Sequence, residues 1–218
     1  MKKLICLVLA LVLCMGAVAA MAVSSPTTDD MYDTSSNKGS TKKEEPATLV
    51  VDLVTGNEMT EAEKAKLANE LAVLNAAKES GNVLSYYDTE KNADGATVIV
   101  KNEAGEPATV AEAVAAAGIE NPIVNEMMPL YVQNVEAVDG KAVVSHTFPT
   151  QYAKGETVVV VIEVVDSQGN IIRYVLEGKG AEDGSGALIV EYPAEVLLAA
   201  QNNAALPMIS VISDDKTV

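Results

Sequence analysis

Thr157-Val158-Val159-Val160-Val161-Ile162-Glu163-Val164-Val165 is almost unbroken β-branched sequence carrying one charge. Side chains of this kind are stiff at χ1 and pack well on a pleated surface. A run this short and this apolar therefore reads as a strand covered on both faces, although antiparallel sheets usually leave one face wet. Ser167-Gln168-Gly169-Asn170 follows as a turn into a second strand, Ile171 to Leu176. The loop Gly178 to Gly186 then leads to Ala187 to Tyr192, and Leu206 to Ile212 closes the series. Between the last two, Pro193 to Ala200 has the composition of a short helix with proline near its first position. Upstream, Leu130 to Val138 and Lys141 to Phe148 flank Asp139-Gly140, a pair able to take the positive φ of a tight hairpin. The chain from Leu130 onward thus reads as a β meander.

The part before Pro122 has a different grammar. Leu49, Val50, Val51, Leu53 and Val54 predict a strand within Ala47 to Val54, stopped at Thr55-Gly56-Asn57. Thr60-Glu61-Ala62-Glu63 is a capping box, and Leu67, Leu71 and Leu74 recur at helical spacing until Ser80-Gly81. Thr109-Val110-Ala111-Glu112 repeats the box before an alanine-rich helix that Gly118 ends. Val83 to Tyr87 and Ala96 to Lys101 read as strands around the polar loop Asp88 to Gly95. The expected fold class is α+β: a helix-containing N-terminal part followed by an antiparallel β-sheet or β-sandwich. One folded domain is expected over residues 47–213, with a sub-boundary near 122 and a polar tail over 214–218.

Residues 1–22 read as a signal peptide. Lys2 and Lys3 form its positive end, Leu4 to Leu13 its apolar stretch, and Ala17-Val18-Ala19 or Ala20-Met21-Ala22 its cleavage site. Retention of Leu4 to Val23 as an anchor is the alternative, since the run is about long enough to cross a bilayer. Residues 23–46 are Ser-, Thr-, Asp- and Lys-rich with little to bury, and read as a disordered linker. Cys6 and Cys14 follow Ile5 and Leu13, where lipidation needs small residues, so both are expected to leave with the signal. The mature chain then has no thiol, and its fold must rest on its core. Cleavage also takes Lys+Arg from 15 to 13 against 31 acids, moving the net charge from −16 to −18.

That charge bounds the partners. Arg173 is the sole arginine, so no arginine clamp for phosphate can be built, and nucleic acid is excluded. An extracellular protein or a glycan remains open as partner, and no membrane insertion is expected after signal cleavage.

No residue is assigned as catalytic, cofactor-binding or metal-binding, and no cofactor is implied. His146 is the single histidine and adjoins Ser145. Neighbours on a strand point to opposite faces, so the two cannot pair; Val144, His146 and Phe148 share a face that should be buried. Glu90-Lys91-Asn92-Ala93-Asp94-Gly95 resembles the opening of a calcium loop. Counted from Glu90, however, the twelfth position is Lys101, and counted from Asp88 it is Ile99. Gly178-Lys179-Gly180 lacks the Ser or Thr and the following helix of a phosphate loop. Carboxylate pairs for glycoside hydrolysis have many candidates among 31 acids, with no spacing to choose by. The tyrosines are expected to pack their rings at strand edges with the hydroxyls wet.

Phe148-Pro149-Thr150-Gln151-Tyr152-Ala153-Lys154-Gly155-Glu156 followed by the valine strand resembles exported, uncharacterised β-rich domains of Gram-positive bacteria. In those domains a strand ends at Phe-Pro or Phe-Ser, a glycine turn follows, and a Val-rich strand comes next. Leu206 to Ile212 is similar to their closing strand, and the resemblance covers about the last third of the mature chain. Where members carry a tryptophan in the strand placed like Ile171 to Leu176, this chain has Arg173 and Tyr174. The resemblance implies a β-rich exported domain and transfers no catalytic residue. Leu206-Pro207-Met208-Ile209 does not match a sortase signal, so wall attachment is not expected. Together these readings predict a non-enzymatic extracellular interaction or structural module, with a carboxylate-dependent hydrolase of extracellular polymers as the alternative.

Overall fold

The computed structural model describes residues 47–55, 58–203 and 205–215. The stretches read as signal peptide (1–22) and disordered linker (23–46), most of the turn at Thr55-Gly56-Asn57 and the last three residues lie outside the described residues. The chain forms β1 (Val50–Leu53), α1 (Glu61–Glu79), α2 (Val83–Tyr87), β2 (Val98–Asn102), α3 (Val110–Ala116) and β3 (Pro122–Gln133). A 3-10 turn (Val135–Ala137) precedes β4 (Lys141–His146), β5 (Thr157–Val165), β6 (Ile171–Gly180), β7 (Leu188–Pro193), α4 (Ala194–Gln201) and β8 (Met208–Asp214). The result is a mostly antiparallel eight-stranded sheet with four helices.

The strand order is β1-β3-β8-β5-β6-β7-β4, with β2 beside β6 off that path. The sheet curls until its end strands β1 and β4 border one seam, lined by Val51, Asp52, Val143 and Val144, so it is nearly a closed barrel. It is a single curled sheet and not two packed ones. The valine run is its centre: β5 pairs with β6 on one edge and β8 on the other, and residues Val158 to Ile162 are all buried. Both faces are covered because the curl closes one and helices cover the other. Val158, Val160, Ile162 and Val164 point inward with Ile172, Tyr174, Leu176, Ile209 and Val211, where α4 adds Val196, Leu197 and Ala200. Val159, Val161 and Val175 point outward to Leu74 of α1, Val83 and Tyr87 of α2, and Val110 and Val114 of α3.

Both capping boxes form as expected at Thr60/Glu63 and Thr109/Glu112, and Gly118 takes φ +71° just past α3. Two expectations are corrected. Val83 to Tyr87 is one turn of helix, not a strand, because Val83 and Tyr87 are buried together at i, i+4 while Ser85 points out and bonds the Asn82 carbonyl at 2.8 Å. Second, Asp139-Gly140 makes no hairpin. β3 begins at Pro122, is paired by β1 and β8, and ends at Gln133, just before Asn134 turns the chain in a left-handed conformation, while β4 pairs with β7 from Lys141↔Pro193 to His146↔Leu188. Gly140 does take positive φ, and its carbonyl accepts from the Ala194 amide at 2.9 Å. The strand expected over Ala96 to Lys101 forms as β2, and it is parallel to β6, Val98↔Ile171 through Asn102↔Val175. β7 pairs with Gly178 to Gly180 further along, so β2 and β7 share one edge of β6 end to end and the sheet forks there.

The tyrosines also depart from expectation. Tyr87, Tyr152, Tyr174 and Tyr192 are buried, and among the described residues Tyr131 is the one aromatic of the large exposed apolar side chains. With one Phe and no Trp, tyrosine fills the aromatic volume of the core. His146 sits in that interior as the strand alternation requires, buried with Phe148 while Ser145 is exposed, and its Nε2 is 2.8 Å from the Tyr192 hydroxyl. Burial pushes its pKa from 6.5 down to about 4, with the Asp52 charge pulling weakly the other way. Between those values the unfolded chain binds more protons than the folded one. The stability that neutral His146 contributes is therefore whole above about pH 6.5 and is lost as pH falls toward 4. That loss should amount to roughly 3 kcal/mol. His146→Gln keeps an amide beside Tyr192 but cannot titrate, so urea unfolding at pH 7 and pH 4 should show a pH-dependent loss smaller by about that amount.

Candidate functional site

A cleft of about 730 Å³ opens between α1, the α2 turn with its following loop, and the outer face of β5 and β6. α1 commits only Leu74 fully to the core, with Leu67 and Leu71 half-buried. Its Glu70, Val73 and Ala77 border the open space, and Tyr86, Glu163 and Arg173 meet them from the other side.

The floor is organised by Arg173. Its Nε donates to Glu163 Oε2 at 2.9 Å, directly across the β5–β6 ladder, and its Nη1 donates to the carbonyls of Tyr86 and Tyr87, each at 2.7 Å. Those carbonyls are among the last of α2, which have no partner inside the helix, so the guanidinium closes the helix end with the charge its dipole favours. The Tyr86 and Tyr87 rings lie 4.9 and 5.4 Å from Arg173 Cζ. Arg173 is 2% exposed, an unusual place for the only arginine of the chain.

Glu70 completes the site from α1. Lys66 Nζ approaches its Oε1 at 3.6 Å, beyond hydrogen-bond length, while Oε2 is buried without a hydrogen-bond partner. Burial is the main force raising the Glu70 pKa above the usual carboxylate range, and the Glu163 charge raises it further. Burial and the same Glu163 charge push the Tyr86 hydroxyl up as well. Glu70, Tyr86 and Glu163 therefore sense one another around the cleft floor.

A second cavity, of about 480 Å³, lies at the fork where β2 and β7 part along β6. Its rim charges satisfy each other: Lys141 Nζ is 2.9 Å from Glu103 and 4.0 Å from Glu191, and Lys179 is 2.8 Å from Glu177. Among the described residues, Glu70 Oε2 at the α1 cleft is a buried carboxylate oxygen without a hydrogen-bond partner.

The features weighed in the sequence fall elsewhere. Asp88, first acid of the calcium-like loop, turns away from the loop and accepts from the amides of Val110 at 2.6 Å and Ala111 at 3.0 Å, capping α3. Asn92 Oδ1 accepts from the Asp94 and Ala96 amides, so the loop closes on itself. Among the described residues no group of three or more His, Cys, Asp or Glu gathers as for a metal ion. Asp88→Ala should cost about 1–2 kcal/mol, since it frees two amides at a helix start. Urea unfolding should show that loss, with faster hydrogen exchange confined to α3. Gly178 and Gly180 serve packing, as their surroundings show: a Cβ on Gly178 would meet Val160 and Val158 methyls at 2.9 and 3.0 Å. Of the many acids, the fold brings Glu70, Asp94 and Glu163 to one cleft, a gathering that no sequence spacing announces. Among the described residues no helix is long and apolar enough to cross a membrane.

Fold and cleft together define a class: a curled, mostly antiparallel β-sheet that carries a helical layer on its outer face with a charged cleft beneath. No family model, curated protein or solved structure matches the chain.

Proposed function

We propose that this chain is an exported, non-enzymatic binding module of α+β type, which takes a group from an extracellular protein or glycan into the cleft under α1. The signal-like residues 1–22 motivate the export, as does the resemblance to exported Gram-positive domains. The observation that carries the binding role is the Glu70 carboxylate oxygen left without a hydrogen-bond partner at the cleft, whereas the cavity at the β2–β7 fork has its rim charges mutually paired. A buried acceptor without a donor costs free energy that a ligand donor would recover. The test is a glycan and peptide array probed with the secreted protein and with Val73→Trp. Val73 is 44% exposed at the cleft, so tryptophan there should obstruct it without disturbing the core. Captured ligands should be lost in the variant; equal capture by both proteins would end the reading. Intact-mass analysis of the secreted product should show cleavage after Ala19 or Ala22.

A carboxylate-dependent hydrolase is the second reading, favoured by the raised Glu70 pKa, which suits a general acid, with Glu163 in the same cleft. Glu163 is already held by Arg173, which favours binding over turnover. Release of product from a captured polymer, abolished in Glu70→Gln while capture persists, would decide for hydrolysis.

A further inference from the structure

The curled sheet ends in two unused edges. β1 is paired by β3 alone and β4 by β7 alone, and among the described residues no main-chain hydrogen bond joins β1 to β4. Both strands border the seam, and two hollows of about 440 and 540 Å³ follow one another along it, meeting at Leu49. We propose that this seam receives an extended, basic segment of a partner protein as an added strand, antiparallel to β1 and to β4. The site is separate from the α1 cleft and does not depend on it.

Strand direction favours an inserted strand over direct closure. Following the antiparallel pairs from β1 through β3, β8, β5, β6 and β7 to β4 leaves the two end strands running the same way. A strand antiparallel to both continues the pairing of that path and becomes its eighth member, a barrel size whose interior side chains can fill. Leu49, Val51, Ala142 and Val144 are half-buried toward the core along the two edges, so every second residue of the incoming strand should be compact and apolar. The edge of β4 is also unguarded, since Ala142 to Ser145 carries neither charge nor proline and Val143 is 67% exposed. Charge sets the partner's other face. Asp52 and Asp139 stand exposed at the seam with no ion pair among the described residues, whereas Lys141 is held by Glu103 and Glu191. A lysine or arginine on the outward face of the added strand meets those carboxylates, and the −16 net charge of the chain attracts it from a distance. The chain's own residues 23–46 do not supply such a strand, because Val23, Met31 and Tyr32 are their only large apolar residues.

The test is calorimetric titration of the secreted protein with the capped peptide Lys-Val-Lys-Val-Thr-Val-Lys, long enough to span β4. Two controls accompany it: the same peptide with glutamate for lysine, and the lysine peptide N-methylated at alternate residues, which removes its donors along one edge. The lysine peptide should bind at least about tenfold more tightly than either, and should slow hydrogen exchange in both β1 and β4. Asp52→Lys, at an exposed position, should weaken the lysine peptide about fivefold and strengthen the glutamate one. Equal binding of the methylated peptide, binding that leaves exchange in β1 and β4 unchanged, or no binding at all overturns the added strand. A glutamate peptide as tight as the lysine one overturns the basic partner. A dimeric mass in sedimentation, with the β4 amides protected before any peptide is added, assigns the seam to a second copy and overturns the proposal as well.

Discussion

Replacing Arg173 with leucine should cost about 3–5 kcal/mol of folding stability, the range for stranding one member of a buried ion pair. The loss has three sources in the geometry. Glu163 would keep its charge on a mostly covered strand position with no partner, and the Tyr86 and Tyr87 carbonyls would lose the donor that closes α2. Both tyrosine rings would lose the cation they flank. Arg173→Lys should rescue little, because one ammonium cannot reproduce a fork that serves a carboxylate and two carbonyls at once. The double variant Arg173→Leu with Glu163→Leu removes the stranded charge, and should be more stable than Arg173→Leu alone by at least about 1 kcal/mol, leaving the cost of the two orphaned carbonyls. Denaturant unfolding of Arg173→Leu, Glu163→Leu and the double variant against the parent decides it. If the double variant lost the sum of the two single losses, the ion pair would be irrelevant to how the helical layer is held.

This pair was within reach of the sequence. Glu163 is the single charge in the valine run, Arg173 the single charge in the next apolar strand, and the two stand at equal distances from the centre of the turn at Gln168. A hairpin in that register must place them opposite each other. The strands β5, β6, β7 and β8, both long helix starts and the buried face of His146 were also legible, because period-2 and period-3.6 patterns and capping boxes are local signals. What was hidden is non-local. Whether Val83 to Tyr87 is strand or helix depends on the face it offers to α1 and the sheet, and five residues do not carry a period. Likewise Asp139-Gly140 has hairpin chemistry, but pairing is decided by which edges are free, and those of β3 are taken by β1 and β8. The cleft was least legible of all: Glu70 is one acid on an acidic helix until tertiary packing sets it near Glu163, and only then does it lose solvent and gain a repelling neighbour.

Gly180→Ala should be the most damaging single methyl addition in the domain, at about 3 kcal/mol, the upper end of the usual cost of overpacking. Gly180 has no positive φ to excuse its glycine. The reason is close backbone approach. Its amide donates to the Glu156 carbonyl at 2.8 Å and its carbonyl accepts from the Gly155 amide at 3.0 Å, so the turn Ala153 to Glu156 lies flat on the end of β6. A Cβ there would overlap the Ala153 carbonyl oxygen and sit 2.9 Å from its carbon. Backbone cannot rotate out of the way as a side chain can, so the turn must lift and both hydrogen bonds be lost. Gly178→Ala offers the internal comparison. Its added methyl meets only methyl groups of Val160, Val158 and Leu188 at 2.9 to 3.2 Å, and small side-chain adjustments should hold the cost to about 1–2 kcal/mol. Urea unfolding should thus rank Gly180→Ala well below Gly178→Ala in stability, with the amides of Gly155 and Gly180 losing their hydrogen-exchange protection in the first variant only. The reverse order would mean that the turn before the central strand docks loosely, and that these two glycines are kept by something other than packing.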